Sequence, residues 1–480
     1  MNFFSCVCIK NSKIELLCCW SNKFCQNMST NLVEENGGGD ESQSKDSMIP
    51  KRKKKLCSRT QTCFLYIILA FVCSSFYYYQ IFKPSPQTNF FDSLAFKVGL
   101  HVDQYAVIID AGSTGSRLLA LEFRKSLYDG NIKIERELFL QGAPSLSSFQ
   151  DSPKGAADSI TKLVNQALDF VPERKWTETP IALRATAGLR LLPLEKSSAL
   201  LQEVAVALKD CPFLSTSNSV AIMDGRDEGL FSWFTVNFLM GKLGGSVEDT
   251  VGALDLGGGS TQITFAPLDD SRIKRDSPQY LHSVKLMQQE VNIYTHSYLG
   301  LGLMAARQEI LTYDSSPEST SIFSKCVNPV IKDKKWKYGN VEYLVSGYYN
   351  AKASVNYSEC HAIVQKVVSK YKVDKPLELL QHDIVAFSYY FDRATEVGLV
   401  DPYQGGTIKL TDYFKSALEA CKFPNAEQPF MCLDLTYISV LLHDGFGLDT
   451  SRSIRLIKKI DDHEISWALG AAFHILRTGL

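Results

Sequence analysis

The sequence carries no excess charge of either sign. Its 51 Lys and Arg against 52 Asp and Glu leave a formal net charge of -1 over 480 residues. A nucleic-acid groove needs a clustered basic surface, and the one dense basic run is Lys51, Arg52, Lys53, Lys54 and Lys55. No G-x-x-x-x-G-K-[ST] is present, which excludes the P-loop way of holding a nucleotide. Gly300-Leu301-Gly302 lacks the third glycine of a dinucleotide fingerprint. The eight histidines show no H-E-x-x-H spacing, so a zinc-peptidase site is excluded. No Cys/His or Ser/His/Asp arrangement stands out, so no covalent intermediate is implied. Long apolar runs are scarce: one lies at 63–76, and no second one stands near the C-terminus.

That single run follows the basic cluster and precedes Tyr77, Tyr78 and Tyr79. A spanning helix needs about 20 mostly apolar residues, and tyrosines suit the interfacial belt. The expectation is a signal anchor at 61–80, with 1–60 a polar cytosolic tail and 81–103 a stem. The positive-inside rule then puts the rest on the far side of the membrane, as in a single-pass type II protein. A short span favours the thinner early-secretory membrane, so the Golgi or endoplasmic reticulum is expected, with release after stem cleavage as a variant. Past the run stand five cysteines. Proximity suggests Cys326 with Cys360 and Cys421 with Cys432, leaving Cys211 free, although sequence alone leaves connectivity open. Asn356-Tyr357-Ser358 is a glycosylation sequon that would suit a lumenal loop.

What is abundant is alternation of strand and helix patterns from residue 105 onward. Tyr105-Ala106-Val107-Ile108-Ile109 reads as a strand buried on both faces, with further strands at 118–123, 132–140 and 181–183. Helical spacing marks 155–170, 195–208, 226–240 and 465–476. This order implies an α/β body, and its length implies two domains. They are expected as 104–224 completed by 458–480, and 225–457.

A weak internal repeat carries the chemistry. Asp110-Ala111-Gly112-Ser113-Thr114-Gly115-Ser116-Arg117 follows one buried strand. Asp255-Leu256-Gly257-Gly258-Gly259-Ser260-Thr261-Gln262 follows another. Glycine lets backbone approach a phosphate, and successive N–H groups of such a turn make an anion nest. An Asp at the strand end suits a hydrated Mg²⁺ or Ca²⁺ bridging phosphate oxygens. Two such loops would grip a polyphosphate from both sides.

These loops resemble those of the actin, Hsp70 and hexokinase superfamily. More finely, five boxes in order resemble the apyrases, the ectonucleoside triphosphate diphosphohydrolases. They are the two loops, Ala185-Thr186-Ala187-Gly188-Leu189-Arg190, Asp224-Gly225-Arg226-Asp227-Glu228-Gly229 and Ser466-Trp467-Ala468-Leu469-Gly470. The resemblance implies a two-lobed α/β fold with a phosphate loop in each lobe. It implies Glu228 as general base, with Ser260 and Gln262 orienting the water. Asp110 and Asp255 would hold Ca²⁺ or Mg²⁺ through waters. Ser113, Thr114, Gly115, Thr186, Gly257 and Gly258 would line the phosphates, and Trp467 would sit at the lobe junction. Tyr389, Tyr390, Phe446 and Tyr403 are candidates for stacking the nucleobase.

Gly115 stands where the cell-surface branch commonly has His, and that branch carries a second spanning helix. The implied enzyme is therefore a nucleoside diphosphatase preferring UDP or GDP, acting without an obligate protein partner. A broad ATP/ADP diphosphohydrolase is the alternative within the family. A sugar or acetate kinase of the same superfamily and a nucleotide-gated binding protein are the rivals outside it.

Overall fold

A computed structural model describes residues 68–75, 101–127, 132–286, 289–316, 318–349 and 353–479. The chain divides into two units, Met1–Lys83 and Pro84–Leu480. In the first, residues 68–75 are helical, with Ile68, Leu69, Phe71 and Val72 exposed. The remainder of the expected tail and anchor lies outside the described residues. Among the described residues no helix is long and apolar enough to cross a membrane.

The second unit is built on two sheets. The first has the order β3-β2-β1-β4-β5, from β1 (His101–Ala111), β2 (Ser116–Ser126), β3 (Ile132–Ala143), β4 (Ile181–Ala185) and β5 (Val220–Ile222). β1 thus begins inside the segment expected as stem, because 101–111 pairs along its whole length with β2. The continuous apolar run of β1 is explained by burial on both faces. Val107 and Ile109 meet Ile160, Val164, Leu200 and Val204 from the helices Pro153–Leu168 and Leu194–Lys209. Ala106 and Ile108 meet Leu469, Ala472 and Ile475 from the helix Trp467–Thr478. Each aliphatic side chain so buried contributes roughly 1.5–3 kcal/mol.

The second sheet runs β14-β15-β13-β6-β7-β9-β8. Its strands are β6 (Gly252–Leu256), β7 (Ser260–Phe265), β8 (Leu281–Leu286), β9 (Gln289–Leu299), β13 (Ile384–Ser388), β14 (Gly406–Lys409) and β15 (Ser453–Leu456). A smaller sheet of β10 (Ser321–Ser324), β12 (Val341–Gly347) and β11 (Lys334–Tyr338) lies apart from it. The duplication goes deeper than the loops. β9-β7-β6-β13-β15 repeats β3-β2-β1-β4-β5, with two antiparallel pairings followed by two parallel ones in each. The β1–β2 turn and the β6–β7 turn occupy equivalent places.

Two helices are shared by the sheets. On Gly225–Leu239, Trp233 and Val236 pack with Ala253, Val385 and Phe387 of the second sheet. Phe231 and Phe234 on the same helix pack against the cluster on the first sheet. The partner is Trp467–Thr478: Phe234 and Phe473 lie 4.8 Å apart at their centroids. Thr235 Oγ1 donates to the Ser466 carbonyl at 2.9 Å and accepts from Gly470 N at 3.0 Å.

Of two disulfides in the second sheet's layer, Cys326–Cys360 ties the turn after β10 to the helix Tyr357–Lys370 and Cys421–Cys432 joins the helices Leu410–Lys422 and Met431–Val440, while Cys211 forms none. Asn356 is exposed at the start of the helix Tyr357–Lys370.

The helix pair makes a stability prediction. A Cβ on Gly470 would lie 2.5 Å from the Phe231 carbonyl oxygen. Overpacking of this kind costs roughly 1–3 kcal/mol. Gly470→Ala should lower the melting temperature by several degrees. Gly245→Ala, whose nearest neighbour would be 3.5 Å away, should leave it unchanged.

Candidate active site

Equivalent strands deliver equivalent carboxylates. Asp110 on β1 pairs across its hairpin with Arg117, and Asp255 on β6 pairs with Gln262. Both aspartates are buried. Asp110 Oδ2 accepts from Arg117 Nη1 at 3.1 Å, and Asp255 Oδ2 accepts from Ser232 Oγ at 3.5 Å. The other oxygen of each, Oδ1, is buried with no hydrogen-bond partner. Burial pushes the Asp110 carboxyl up against the opposing pull of Arg117. Burial lifts Asp255 to about 6, with Ser388 pulling down and Asp110 adding to the rise.

The two turns meet at the cleft. A Cβ on Gly258 would lie 2.4 Å from Ser113 Oγ and 2.6 Å from Thr114 Cγ2, and one on Gly259 would lie 2.8 Å from Ala187 Cβ. Only glycine permits that approach. Behind the second turn, Leu303 N donates to Gly257 O at 2.9 Å, and Met304 N to Gly258 O at 2.9 Å. A Cβ on Gly302 would strike the backbone at Ser260 N, 2.3 Å away. The Gly300-Leu301-Gly302 stretch therefore seals the phosphate loop instead of binding a dinucleotide.

Glu228 enters from the helix Gly225–Leu239, whose N-cap Asp224 accepts from Arg226 N at 2.8 Å. The side chain is 7% exposed and lines the cleft. Its Oε2 accepts from Arg190 Nη2 at 2.5 Å. The same Nη2 lies 3.4 Å from Ser260 Oγ, and Gln262 Nε2 donates at 2.9 Å both to Ser260 Oγ and to Ser297 Oγ. Burial raises the Glu228 carboxyl to about 8. Arg190 opposes the rise, while Asp255 and Asp110 reinforce it.

Most of the expected residues converge here. Asp110, Ser113, Thr114, Thr186, Glu228, Asp255, Gly257, Gly258, Ser260, Tyr389 and Trp467 all line one cleft. Others need correction. Gly115 closes its turn behind Gly112 and does not line the cleft. Gln262 is buried behind Ser260 and reaches the cleft only through that hydroxyl. Tyr390 and Phe446 cannot stack a base, because both are buried in the core of the second sheet's layer. Tyr390 hydrogen-bonds Thr261 at 3.4 Å, and Phe446 packs on Tyr298. Tyr403 is exposed and is not among the cleft residues.

Two residues were missed as site groups. Arg190 closes the second box, but nothing in its spacing announces a pairing with Glu228. Ser388 holds φ 56 and ψ -132 at the cleft edge. That backbone region is nearly closed to non-glycine residues, and holding it costs of order 1–3 kcal/mol.

A cleft between duplicated sheets, with a phosphate loop from each and a carboxylate pair at the strand ends, defines a two-lobed phosphate-handling protein of the actin-like class. The GDA1/CD39 (nucleoside phosphatase) family profile matches residues 100–479, and the chain belongs to that family. It is 41% identical over 379 residues to ectonucleoside triphosphate diphosphohydrolase 5 of Gallus gallus, covering 78% of this chain and 88% of the relative. It is also 41% identical over 380 residues to nucleoside diphosphate phosphatase ENTPD5 of Homo sapiens, with the same coverage. The fold resembles a crystal structure of nucleoside triphosphate hydrolases from Neospora caninum. The TM-score is 0.54 and the identity 15%, over 80% of this chain and 94% of that one.

The buried Glu228 carboxyl predicts a pH effect on stability. Glu228 binds its proton up to about pH 8 in the folded protein, against 4.5 for an ordinary glutamate. Between those values the folded state holds more protons, so stability falls as pH rises through the window. Wild-type melting temperature should therefore drop from pH 5 to pH 9 by more than that of Glu228→Gln. The gap between them should reach about 3 °C or more. Parallel pH profiles would contradict the burial reading.

Proposed function

We propose that this chain hydrolyses nucleoside diphosphates, UDP and GDP before triphosphates, to the monophosphate and inorganic phosphate. The observation that carries the reading is Glu228. It is a buried carboxylate set between two phosphate loops and tied through Arg190 to Ser260.

Water attacks the terminal phosphorus, and the bond from phosphorus to the bridging oxygen breaks, releasing the monophosphate. Glu228, in the ionised form that gains population as the pH approaches and passes about 8, takes the water's proton. Arg190 favours the ionised form of that carboxylate, and Ser260, held by Gln262, fixes the direction of the water. Backbone N–H groups and hydroxyls of Ser113 and Thr114, with the backbone of Gly257 and Gly258, hold the phosphates, and Thr186 stands beside them. In reactions of this type positioning and electrostatics supply most of the rate.

The residues fit a divalent cation. Asp110 and Asp255 each leave one buried oxygen without a partner, which is where Ca²⁺ or Mg²⁺ would be held. Among the described residues no group of three His, Cys, Asp or Glu could hold a metal ion by itself, so water and phosphate oxygens would complete the shell. Such an ion, when bound, neutralises charge on the diphosphate. Of the four aromatic candidates for the base, Tyr389 is the one that lines the cleft.

The same reading assigns lobes of 104–224 with 458–480 and of 225–457, the first extended back to His101. It makes 61–80 the anchor of a Golgi or endoplasmic-reticulum enzyme facing the lumen. The two disulfides and the exposed Asn356 support an oxidising, glycosylating compartment.

Phosphate release should be fastest with UDP or GDP, slower with UTP and ATP, and abolished by EDTA. Equal or faster release from triphosphates would move the enzyme to broad specificity. No release from any nucleotide by a folded sample that binds them would overturn the hydrolase reading.

A further inference from the structure

The chemistry described so far leaves a guanidinium in the cleft with no role toward substrate. Among the described residues that line the cleft, two cationic side chains, Arg117 and Lys458, face five carboxylates. A diphosphate is itself an anion. Entering so acidic a space, it needs opposite charge to answer its own. Lys458 stands 3.9 Å from Glu464, and Arg117 stands at the first phosphate loop.

Arg117 is the second residue of β2, directly beyond that loop, and lies in register with Asp110. A Cβ on Gly112 would lie 3.0 Å from Arg117 Nη1. The guanidinium therefore rests against the backbone that leads into Ser113 and Thr114. Nη1 donates to Asp110 Oδ2 at 3.1 Å, the one side-chain hydrogen bond Arg117 makes among the described residues. A guanidinium carries five N–H donors in a flat fork, so most of this fork is unused. The side chain is 37% exposed, against 11% for Asp110 and 15% for Arg190. Arg117 is thus pinned at one corner and open to the cleft along the rest. Burial lowers its proton affinity, and Asp110, then Tyr389 and Asp255, more than restore it. Asp255 belongs to the opposite loop, so the guanidinium lies in the field of both.

Resting on the diphosphatase reading, we propose that Arg117 is a substrate-binding residue whose fork bridges Asp110 and the diphosphate. It donates to phosphate oxygens through the N–H groups that Asp110 leaves free. Arginine suits this place because two of its N–H groups match the spacing of phosphate oxygens, which a lysine ammonium does not. Asp110 aims the fork, so its charge is already in position when the bond to the bridging oxygen breaks and charge gathers on that oxygen.

The test separates holding the substrate from answering Asp110. The probe is the α,β-methylene analogue of UDP, whose bridging carbon resists hydrolysis. It is titrated calorimetrically, with Mg²⁺, into the full chain carrying Arg117→Gln, Asp110→Asn or both. Arg117→Gln should weaken binding by about tenfold or more on its own, and by a comparable factor when added to Asp110→Asn. If its effect disappears once Asp110→Asn is present, Arg117 only balances that carboxylate and the proposal is overturned. Unchanged affinity in Arg117→Gln alone overturns it equally. Arg117→Lys keeps a positive charge beside Asp110 without the fork, and it keeps the test open if Arg117→Gln fails to fold. It should lose affinity several-fold, and unaltered binding would again overturn the proposal. Where Asp110→Asn binds too weakly for calorimetry, the same comparison is read in kcat/KM for UDP. A folded wild-type chain that binds no analogue would instead sink the diphosphate reading itself.

Discussion

Asp110, Asp255 and Glu228 are held out of water, near enough that both aspartates raise the proton affinity of Glu228 and Asp110 raises that of Asp255. Buried charges of one sign are unfavourable unless something opposite answers them. In this protein Arg117 and Arg190 answer part of the charge, and two aspartate oxygens are left with nothing. The rest of the architecture keeps that arrangement in place. Two sheets supply one aspartate each, and the helix between them supplies the glutamate. The packing of Gly225–Leu239 against Trp467–Thr478 fixes how the sheets face each other. Stability spent on the acid cluster is recovered in the two-sided burial of β1 and β6.

The duplication explains why the site is symmetric in its grip and asymmetric in its chemistry. Each hairpin presents an Asp at the strand end and a small-residue turn beyond it. The residue opposite that Asp then differs. In the first hairpin it is Arg117, which pairs with the carboxylate directly. In the second it is Gln262, which reaches away to Ser260 and Ser297. A shared scaffold thus balances the aspartate's charge in one half and, in the other, ties the amide to two hydroxyls, which the proposed function uses to orient water. The strained backbone of Ser388 lies beside the second half, and its hydroxyl pulls down the proton affinity of Asp255.

Features written in contiguous residues were legible beforehand. The two loops, the strand β1 and the helix expected at 226–240, found at Gly225–Leu239, each declare themselves in contiguous residues. So did most of the cleft: Glu228, both aspartates and Ser260 all line it. What was not legible depends on which way a side chain turns. Tyr389 and Tyr390 are neighbours on one helix, so they point about 100° apart, one to the cleft and one into the core. Phe446 follows an irregular helical turn, and packing against Tyr298 decides its direction. The Arg190–Glu228 pair joins residues 38 apart in the chain, and neither hydrophobic period nor spacing encodes such a contact.

The central claim is that Glu228 performs chemistry and does not merely bind substrate. Single-turnover hydrolysis of UDP by Glu228→Gln, measured beside UDP affinity, tests it most directly. The account predicts affinity within a few-fold of wild type and a rate lower by about 10²–10⁴-fold, the usual contribution of a general base. A near-normal rate would contradict the account. So would a loss confined to affinity, because Glu228 would then be part of the binding cleft and the base would lie elsewhere.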